Sequence, residues 1–444
     1  MIEAPPGAPT GVVALSQPGI VERTLAFSAL FMLTVGLPTE WFFAHSPTAP
    51  IDTGGDVLPT VVFAMIGLLL ISRLMNNGRV VVVLASAEPL LLAVVAVALV
   101  SVVWSPEPIQ SFRRVGAFGV TTLVGYYLVV RYSLSTINKM MAVVLIIATI
   151  LNYAWIFFLP EFGIDGFGVN WTGITSNRNV LGRLNALGAL VFVVAMRDDR
   201  RFRLVYATAL ALQLPLVLGA GSRTSLASYL LILGLLAIYQ FFRAKKTLYG
   251  AVAVSLTGAM ALGIAVATAN LGFIVRTLDR DVTLSGRTEL WADLFDEALT
   301  RPIGGFGWEA FWGGWFSPSH EIWIQHNWLP PTAHNAILEM FLALGLLGTI
   351  PFIIALLRGI QRAAMHVRYV PGALGLWPLG YLSLVAVLSV TESGIAGRTV
   401  FWVLLIVALV HSSRLRRVSS SDQIRDHLDL PPTDPRFELA SWRN

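Results

Sequence analysis

The sequence predicts an all-α integral membrane protein of about twelve transmembrane helices, with a long extracytoplasmic loop between the ninth and tenth. Three observations carry that prediction. Hydrophobic residues fill 55% of the 444 positions and charged residues only 13%, about half the roughly 25% of a soluble domain. Mean hydropathy is +0.70, and a single folded core stops growing near roughly 250–300 residues, so the apolar excess must face lipid. Apolar stretches close to the roughly 20 residues that cross a bilayer recur along the chain. This composition excludes a cytosolic enzyme, a secreted domain and a disordered chain. The net charge of +5 reflects loop orientation rather than a nucleic-acid partner, since no basic stretch carries a nucleic-acid module. With no cysteine, disulfides, thiolate metal sites and cysteine nucleophiles are excluded.

Residues 1–22 are polar, contain Pro and Gly, and read as a cytoplasmic N-terminal segment without a cleaved signal peptide. Residues 23–269 hold nine expected spans, at about 24–43, 58–75, 84–104, 115–132, 138–159, 179–196, 204–220, 224–242 and 248–269. The extracytoplasmic loop occupies 270–334, three further spans fall at about 335–357, 372–390 and 397–411, and a polar, loosely ordered cytoplasmic tail follows at 412–444. Lys and Arg counts in the short loops orient the chain. With the N-terminus inside, every inner connection is basic: Arg73 and Arg79; Arg131 and Lys139; Arg197, Arg200, Arg201 and Arg203; Arg243, Lys245 and Lys246; Arg358, Arg362 and Arg368; Arg414, Arg416 and Arg417. The loop at 44–57 has no Lys or Arg, as expected outside.

Two outer segments stand out: a modest loop at 160–178, and the stretch at 270–334, long enough to suggest function. Within the second, SGRTELWADLFDEALTRP predicts an amphipathic helix, with Leu290, Trp291, Leu294, Phe295 and Leu299 near helical spacing and Pro302 past its end. The following GGFGWEAFWGGWF is rich in Gly and aromatics, which suit an interfacial belt or packing over the bundle.

Ten arginines break the inside bias: Arg113 and Arg114 before span four, Arg178 and Arg183 at the start of span six, Arg223 in the turn GAGSRTS, Arg276, Arg280, Arg287 and Arg301 in the long loop, and Arg398 at the start of span twelve. No Lys occurs on that face. Guanidinium is a permanently charged planar fork that matches phosphate oxygens in pairs, and an arginine inside a bundle needs a partner. Several together suggest a polyanionic ligand, and a pyrophosphate suits them; pairing with carboxylates or lipid phosphates is the alternative for each one. Three of the seven histidines, His320, His326 and His334, lie in the long loop. His334 opens span ten in PTAHNAILEMFLALGLLG, where a near-neutral pKa allows proton transfer and the helix N-terminus favours the neutral, basic ring. A capping or interfacial role is the alternative, and His326, which also precedes Asn, competes. No GxxxxGK[ST] run and no HExxH occurs, and the outer acids Asp293, Asp296, Glu297, Glu309 and Glu321 are scattered, so neither ATP-driven transport nor a metal site is expected.

These residues resemble the O-antigen ligase and polysaccharide polymerase superfamily of bacterial membrane glycosyltransferases. The resemblance covers most of the chain in order: SVVWSPEPIQSFRR (101–114), TSNRNVLGRLNAL (175–187), GSRTSL (221–226), SGRTELW with RPIGGFGWEAFW (285–312), AHNAILEMFLALGLLG (333–348) and TESGIAGRTVFW (391–402). The Gly-Arg-Thr-x-x-x-Trp and Gly-Phe-Gly-x-x-x-Phe-Trp pattern looks more like exopolysaccharide polymerases than lipopolysaccharide ligases. Arg178 stands where many relatives have Lys, with charge preserved. The resemblance implies a GT-C-like fold in the bacterial inner (plasma) membrane, multi-pass, with its active site on the periplasmic or extracytoplasmic side. It implies a glycan donor on undecaprenyl pyrophosphate, surrounding membrane lipid, a glycan acceptor, further polysaccharide-assembly proteins as partners, and no cofactor, metal or nucleic acid. His334 would take a proton from the acceptor hydroxyl, with Arg287 and Arg223 also catalytic, in an inverting reaction. Arg178, Arg114, Asn179, Arg398, Asn335, Trp291 and His326 would bind pyrophosphate or glycan. A ligase moving finished polymer to a lipid or other acceptor is one alternative; a twelve-span transporter or flippase is another, but the chain shows no half-repeat of the kind many such proteins carry.

Overall fold

The computed structural model describes residues 18–36, 61, 63–69, 72, 88–166, 168–175, 177–242, 258, 287–313, 317–326, 329–370 and 372–427. The expected span at 248–269 apart from residue 258, half of the one at 58–75, and Arg73, Arg79, Arg243, Lys245, Lys246, Arg276 and Arg280 lie outside the described residues. Among the described residues the chain is helical, with one isolated antiparallel bridge between Ile164 and Trp171. The principal helices are α1 (Ile20–Val35), α2 (Pro89–Val100), α3 (Pro108–Arg131), α4 (Leu134–Phe158), α5 (Arg178–Asp198) and α6 (Arg203–Gly219). They continue with α7 (Arg223–Phe242), α8 (Arg287–Thr300), α9 (Ser319–His326), α10 (Ala336–Tyr369), α11 (Trp377–Thr391) and α12 (Val400–His427).

Six described helices are long and apolar enough to cross a membrane: 134–158, 178–198, 200–219, 223–241, 336–367 and 373–391; Pro89–Trp104 and Val400–Ser413 are shorter apolar helices. Local chemistry sets several starts. Pro occupies the first position of α2 and α3, where its fixed φ is already helical and its missing N–H costs nothing. That puts Arg113 and Arg114 in the second turn of α3 rather than ahead of a span. Asn177 caps α5 by accepting from the N–H groups of Asn179 and Val180, and Asn335 caps α10 by accepting from Ile337 and Leu338. α12 continues as helix to His427, where the sequence suggested loose order from 412; no Gly or Pro interrupts that segment before Pro431.

Large side chains from α10, α11 and α12 fill the centre, among them the fully buried Trp377, Tyr381, Phe401 and Trp402. Their polar atoms are answered inside the bundle: Trp377 Nε1 donates to Asn138 Oδ1 at 2.9 Å and Trp402 Nε1 to Thr122 Oγ1 at 2.9 Å. Such pairing is needed where no water can serve. Small residues bring helices together, as expected for packing in lipid. A Cβ on Gly182 would lie 1.7 Å from Ser225 Oγ, so α5 and α7 touch at their first turns.

One feature of α10 was invisible in the sequence. Gly345 has φ +58° and ψ −156°, which breaks the helix in the middle of its apolar run. The break strands the carbonyls of Leu342 and Ala343 and the N–H groups of Leu346 and Leu347, a costly situation at membrane depth. Residues 302–307, which precede α10 in the chain, supply all four partners. Phe306 N–H and Gly307 N–H donate to the carbonyls of Leu342 (2.8 Å) and Ala343 (2.9 Å), while Leu346 N–H and Leu347 N–H donate to those of Pro302 (2.8 Å) and Ile303 (3.2 Å). The segment 302–307 is thus spliced into the helix. Close approach requires glycine on both sides: a Cβ on Gly305 would sit 2.6 Å from the Ala343 carbonyl, and one on Gly345 would sit 2.3 Å from Ile303 O. Gly345→Ala adds a left-handed φ penalty to this clash and is expected to destabilise by at least about 2 kcal/mol. Thermal unfolding in detergent measures this, and an unchanged midpoint would contradict the splice.

Candidate active site

Four chain segments meet at the N-terminus of α10. The end of α11 at Thr391 and the link to α12, residues 392–399, form their common floor. From α5, Arg183 donates through Nη1 to the carbonyl of Ser393 and lies 5.7 Å from the ring centre of Phe401. From the start of α8, Arg287 donates to the Thr391 carbonyl at 3.0 Å and stands 3.7 Å from Glu392 Oε1. From α10, the N–H of Asn335 donates to Ser393 Oγ at 3.2 Å. His334 precedes that cap and has φ +50°, a left-handed conformation rare outside glycine. Gly394, at φ +79°, leaves space for the guanidinium: a Cβ there would lie 2.6 Å from Arg183 Nη1.

The electrostatics of this group follow from burial and two cations. Burial, and then the nearby Arg287 and Arg183 guanidinium groups, push the His334 imidazole down to about 4, so the ring is neutral at physiological pH. Burial pushes the Glu392 carboxyl up, against Arg287 and Arg183, which pull it down. Two guanidinium groups face this one carboxyl, so positive potential remains next to the imidazole.

Above Arg183 on the same helix, Arg178 is the first residue of α5, and Arg223 is the first residue of the neighbouring α7. Ser222 Oγ donates to Asn179 Oδ1 at 2.9 Å, tying the two first turns together. Both arginines are exposed. Two adjacent helix N-termini, each headed by an exposed guanidinium, give this end of the bundle a positive potential, because the helix dipoles add to the two charges.

Trp291 Nε1 donates to the Ala333 carbonyl at 2.7 Å, so this side chain braces the backbone beside His334. Below it, an apolar groove of about 860 Å³ runs between α8 and α10; Trp291, Phe295, Leu299, Phe341 and Leu346 line it, and Asn335 marks its upper end.

The remaining sequence-predicted residues fall elsewhere. Arg114 donates to the Glu309 carbonyl, and Arg114 and Arg398 both face the Glu309 carboxyl, which burial pushes up against them. Glu309 also has a left-handed φ of +50°; these two arginines gather round the loop turn that carries it. His326 Nε2 lies 2.8 Å from Asp293 Oδ2, away from the His334 group. Sequence reasoning placed Arg183 only within the set of outer arginines, and gave no role to Glu339, Glu392 or Ser393. Glu339 carried a usable signal: it is an acid in the first turn of a span that carries no other charge until Arg358. Glu392 and Ser393 carried none beyond their place in TESGIAGRTVFW.

Among the described residues, a bundle with six helices long and apolar enough to cross a membrane thus brings one imidazole, His334, close to two guanidinium groups, Arg183 and Arg287. Residues 208–353 match the family model described as O-antigen ligase (Wzy_C). That stretch includes Arg223, Arg287, Trp291, His326, His334 and Asn335, and excludes Arg114, Arg178, Asn179 and Arg398. The exopolysaccharide production protein ExoQ of Rhizobium meliloti (strain 1021) is 30% identical over 124 residues. The alignment spans 27% of this chain and 28% of ExoQ, so only about a quarter of that relative is matched. Both comparisons point, over part of the chain, to the O-antigen ligase and polymerase superfamily that the motifs resemble.

Proposed function

We propose that the protein is a polysaccharide polymerase that joins glycan units from an undecaprenyl-pyrophosphate donor to a sugar hydroxyl on the extracytoplasmic face of the inner membrane. The observation that carries this reading is the neutral, half-buried His334 beside Arg183 and Arg287, with Arg178 and Arg223 heading the adjoining helices. The likeness to ExoQ, a protein of exopolysaccharide production, favours polymer formation.

The chemistry runs as a single displacement. The acceptor oxygen forms a bond to the anomeric carbon from the face opposite the pyrophosphate, and its proton passes to the His334 imidazole. The anomeric C–O bond to phosphate breaks, and its electron pair leaves with undecaprenyl pyrophosphate, so the configuration inverts. Arg287 and Arg183 stabilise the charge that develops on the leaving oxygens, the interaction that counts most in such steps. Arg178 and Arg223 hold the ground-state pyrophosphate through paired N–H contacts. The apolar groove takes the isoprenoid chain, which places its head group at Asn335.

Reversing either of the two N-terminal arginines, Arg178→Glu or Arg223→Glu, is expected to weaken undecaprenyl pyrophosphate binding by about tenfold or more, because a charge-assisted contact becomes a repulsion. Titration of the purified protein in nanodiscs reads it; unchanged affinity in both variants would remove the anion site. Product size separates polymerase from ligase: long chains on undecaprenyl pyrophosphate mean polymerisation, whereas a capped acceptor with free undecaprenyl pyrophosphate means ligation.

A further inference from the structure

We infer that Glu339, acting with Ser393, is a positioning residue that holds His334 in its working conformation; the inference rests on the proposed base role of His334. A left-handed backbone at a histidine costs on the order of 1–3 kcal/mol and persists only where the surroundings over-determine it. The over-determination here converges on one carboxylate. Glu339 Oε2 accepts from the N–H of Ala333 at 2.8 Å and from Ser393 Oγ at 3.3 Å, and Oε1 accepts from Trp312 Nε1 at 2.6 Å. Ser393 spends its only hydroxyl proton on Glu339, so its oxygen is left to accept, and it accepts from the N–H of Asn335. The N–H groups of the two residues that flank His334 are therefore both tied to Glu339, one directly and one through Ser393.

The ring of His334 receives nothing from this network. What the network sets is the backbone from which the ring projects, and so the direction in which it meets Arg183, Arg287 and the acceptor. The three donors come from three parts of the chain: Trp312 from the loop, Ala333 from the approach to α10, and Ser393 from the link to α12. Only an acceptor-only group with two oxygens can serve all three. Gln offers one oxygen and turns an NH₂ toward a donor, so one bond is lost and the others are strained. Asp is one methylene shorter and falls short of the Ala333 N–H.

Two variants test this, Glu339→Gln and Ser393→Ala, in the full-length protein in nanodiscs. The donor is lipid-linked glycan extracted from a source strain that lacks the gene. Each variant is expected to lower kcat by tenfold or more, to leave KM for the donor and binding of undecaprenyl pyrophosphate within about twofold, and to move the acidic limb of the kcat profile. Ser393→Thr, which keeps the hydroxyl, should recover most of the rate. A merely structural role would lower the amount of folded protein without moving the acidic limb. Wild-type kcat in both folded variants, or a loss confined to donor affinity, overturns the inference; if one variant does not fold, the other decides. His334→Asn separates the two ideas. Full activity there refutes the base role itself, whereas an inactive His334→Asn beside fully active Glu339→Gln and Ser393→Ala refutes only the positioning role.

Discussion

Replacing His334 is expected to lower turnover by about 10²–10⁴-fold, the range that a positioned general base contributes, while the protein stays folded. The second half of that expectation comes from where the tethers attach. The bonds that fix this corner run to the N–H and carbonyl of Ala333 and to the N–H of Asn335, so a different side chain at 334 leaves them in place. Asn is the better replacement than Ala, because Asn tolerates the left-handed φ of +50° that Ala resists. Donor affinity should barely change, since a neutral ring adds little to holding pyrophosphate beside several guanidinium groups. The measurement is consumption of lipid-linked glycan by the purified variant, with binding of undecaprenyl pyrophosphate followed separately. A folded His334→Asn protein turning over at the wild-type rate would leave the arginine group with an anion to bind and no reaction to perform.

How much of this was legible beforehand depends on the kind of signal. The helical bundle follows from hydropathy, since lipid permits little else, and spans near 134–158, 178–198 and 223–241 stand where apolar length put them. The amphipathic loop helix was readable from Leu290, Leu294 and Phe295, and it forms as α8. Charge that ran against the expected orientation singled out Arg178, Arg223 and Arg287 as candidates, because an unexpected cation stands out against apolar neighbours, and the structure sets Arg287 near His334. What could not be read was contact between distant segments. Nothing local distinguishes Arg183, which reaches the 393 carbonyl, from Arg114, which reaches the carbonyl of Glu309; both are outer arginines early in a helix. The splice at Gly345 was hidden for a related reason. Leu-Gly-Leu-Leu-Gly reads as an ordinary apolar run, and only the arrival of residues 302–307 makes a broken helix affordable there. Ser393 is a common residue whose role exists only through Glu339 and Asn335, 54 and 58 positions away.

Arg287→Gln should produce two effects together, and their pairing is what makes the variant informative. The first is a loss in kcat of about 10²–10³-fold, the cost of removing one preorganised donor to developing negative charge. The second concerns pH. In the free protein, burial and then Arg287 and Arg183 hold the His334 imidazole down near 4. Activity that needs the neutral ring is therefore present above that value and lost only as pH falls through it, so kcat/KM should stay flat well below the ordinary histidine value of roughly 6.5. Removing the Arg287 cation relieves one of the two repulsions on the imidazolium and moves the acidic limb of kcat/KM upward. Bound pyrophosphate acts in the same direction in the wild type: its charge offsets both guanidinium groups and favours the protonated ring. The acidic limb of kcat, which reports the complex, should consequently lie above that of kcat/KM. The arrangement keeps the base weak until the donor arrives and strengthens it once the leaving group is in place. Profiles of both parameters between about pH 4 and 8 decide the matter. Coincident limbs in the wild type, or an Arg287→Gln protein that loses rate with its limb unmoved, would mean that the arginine and the imidazole do not share one site.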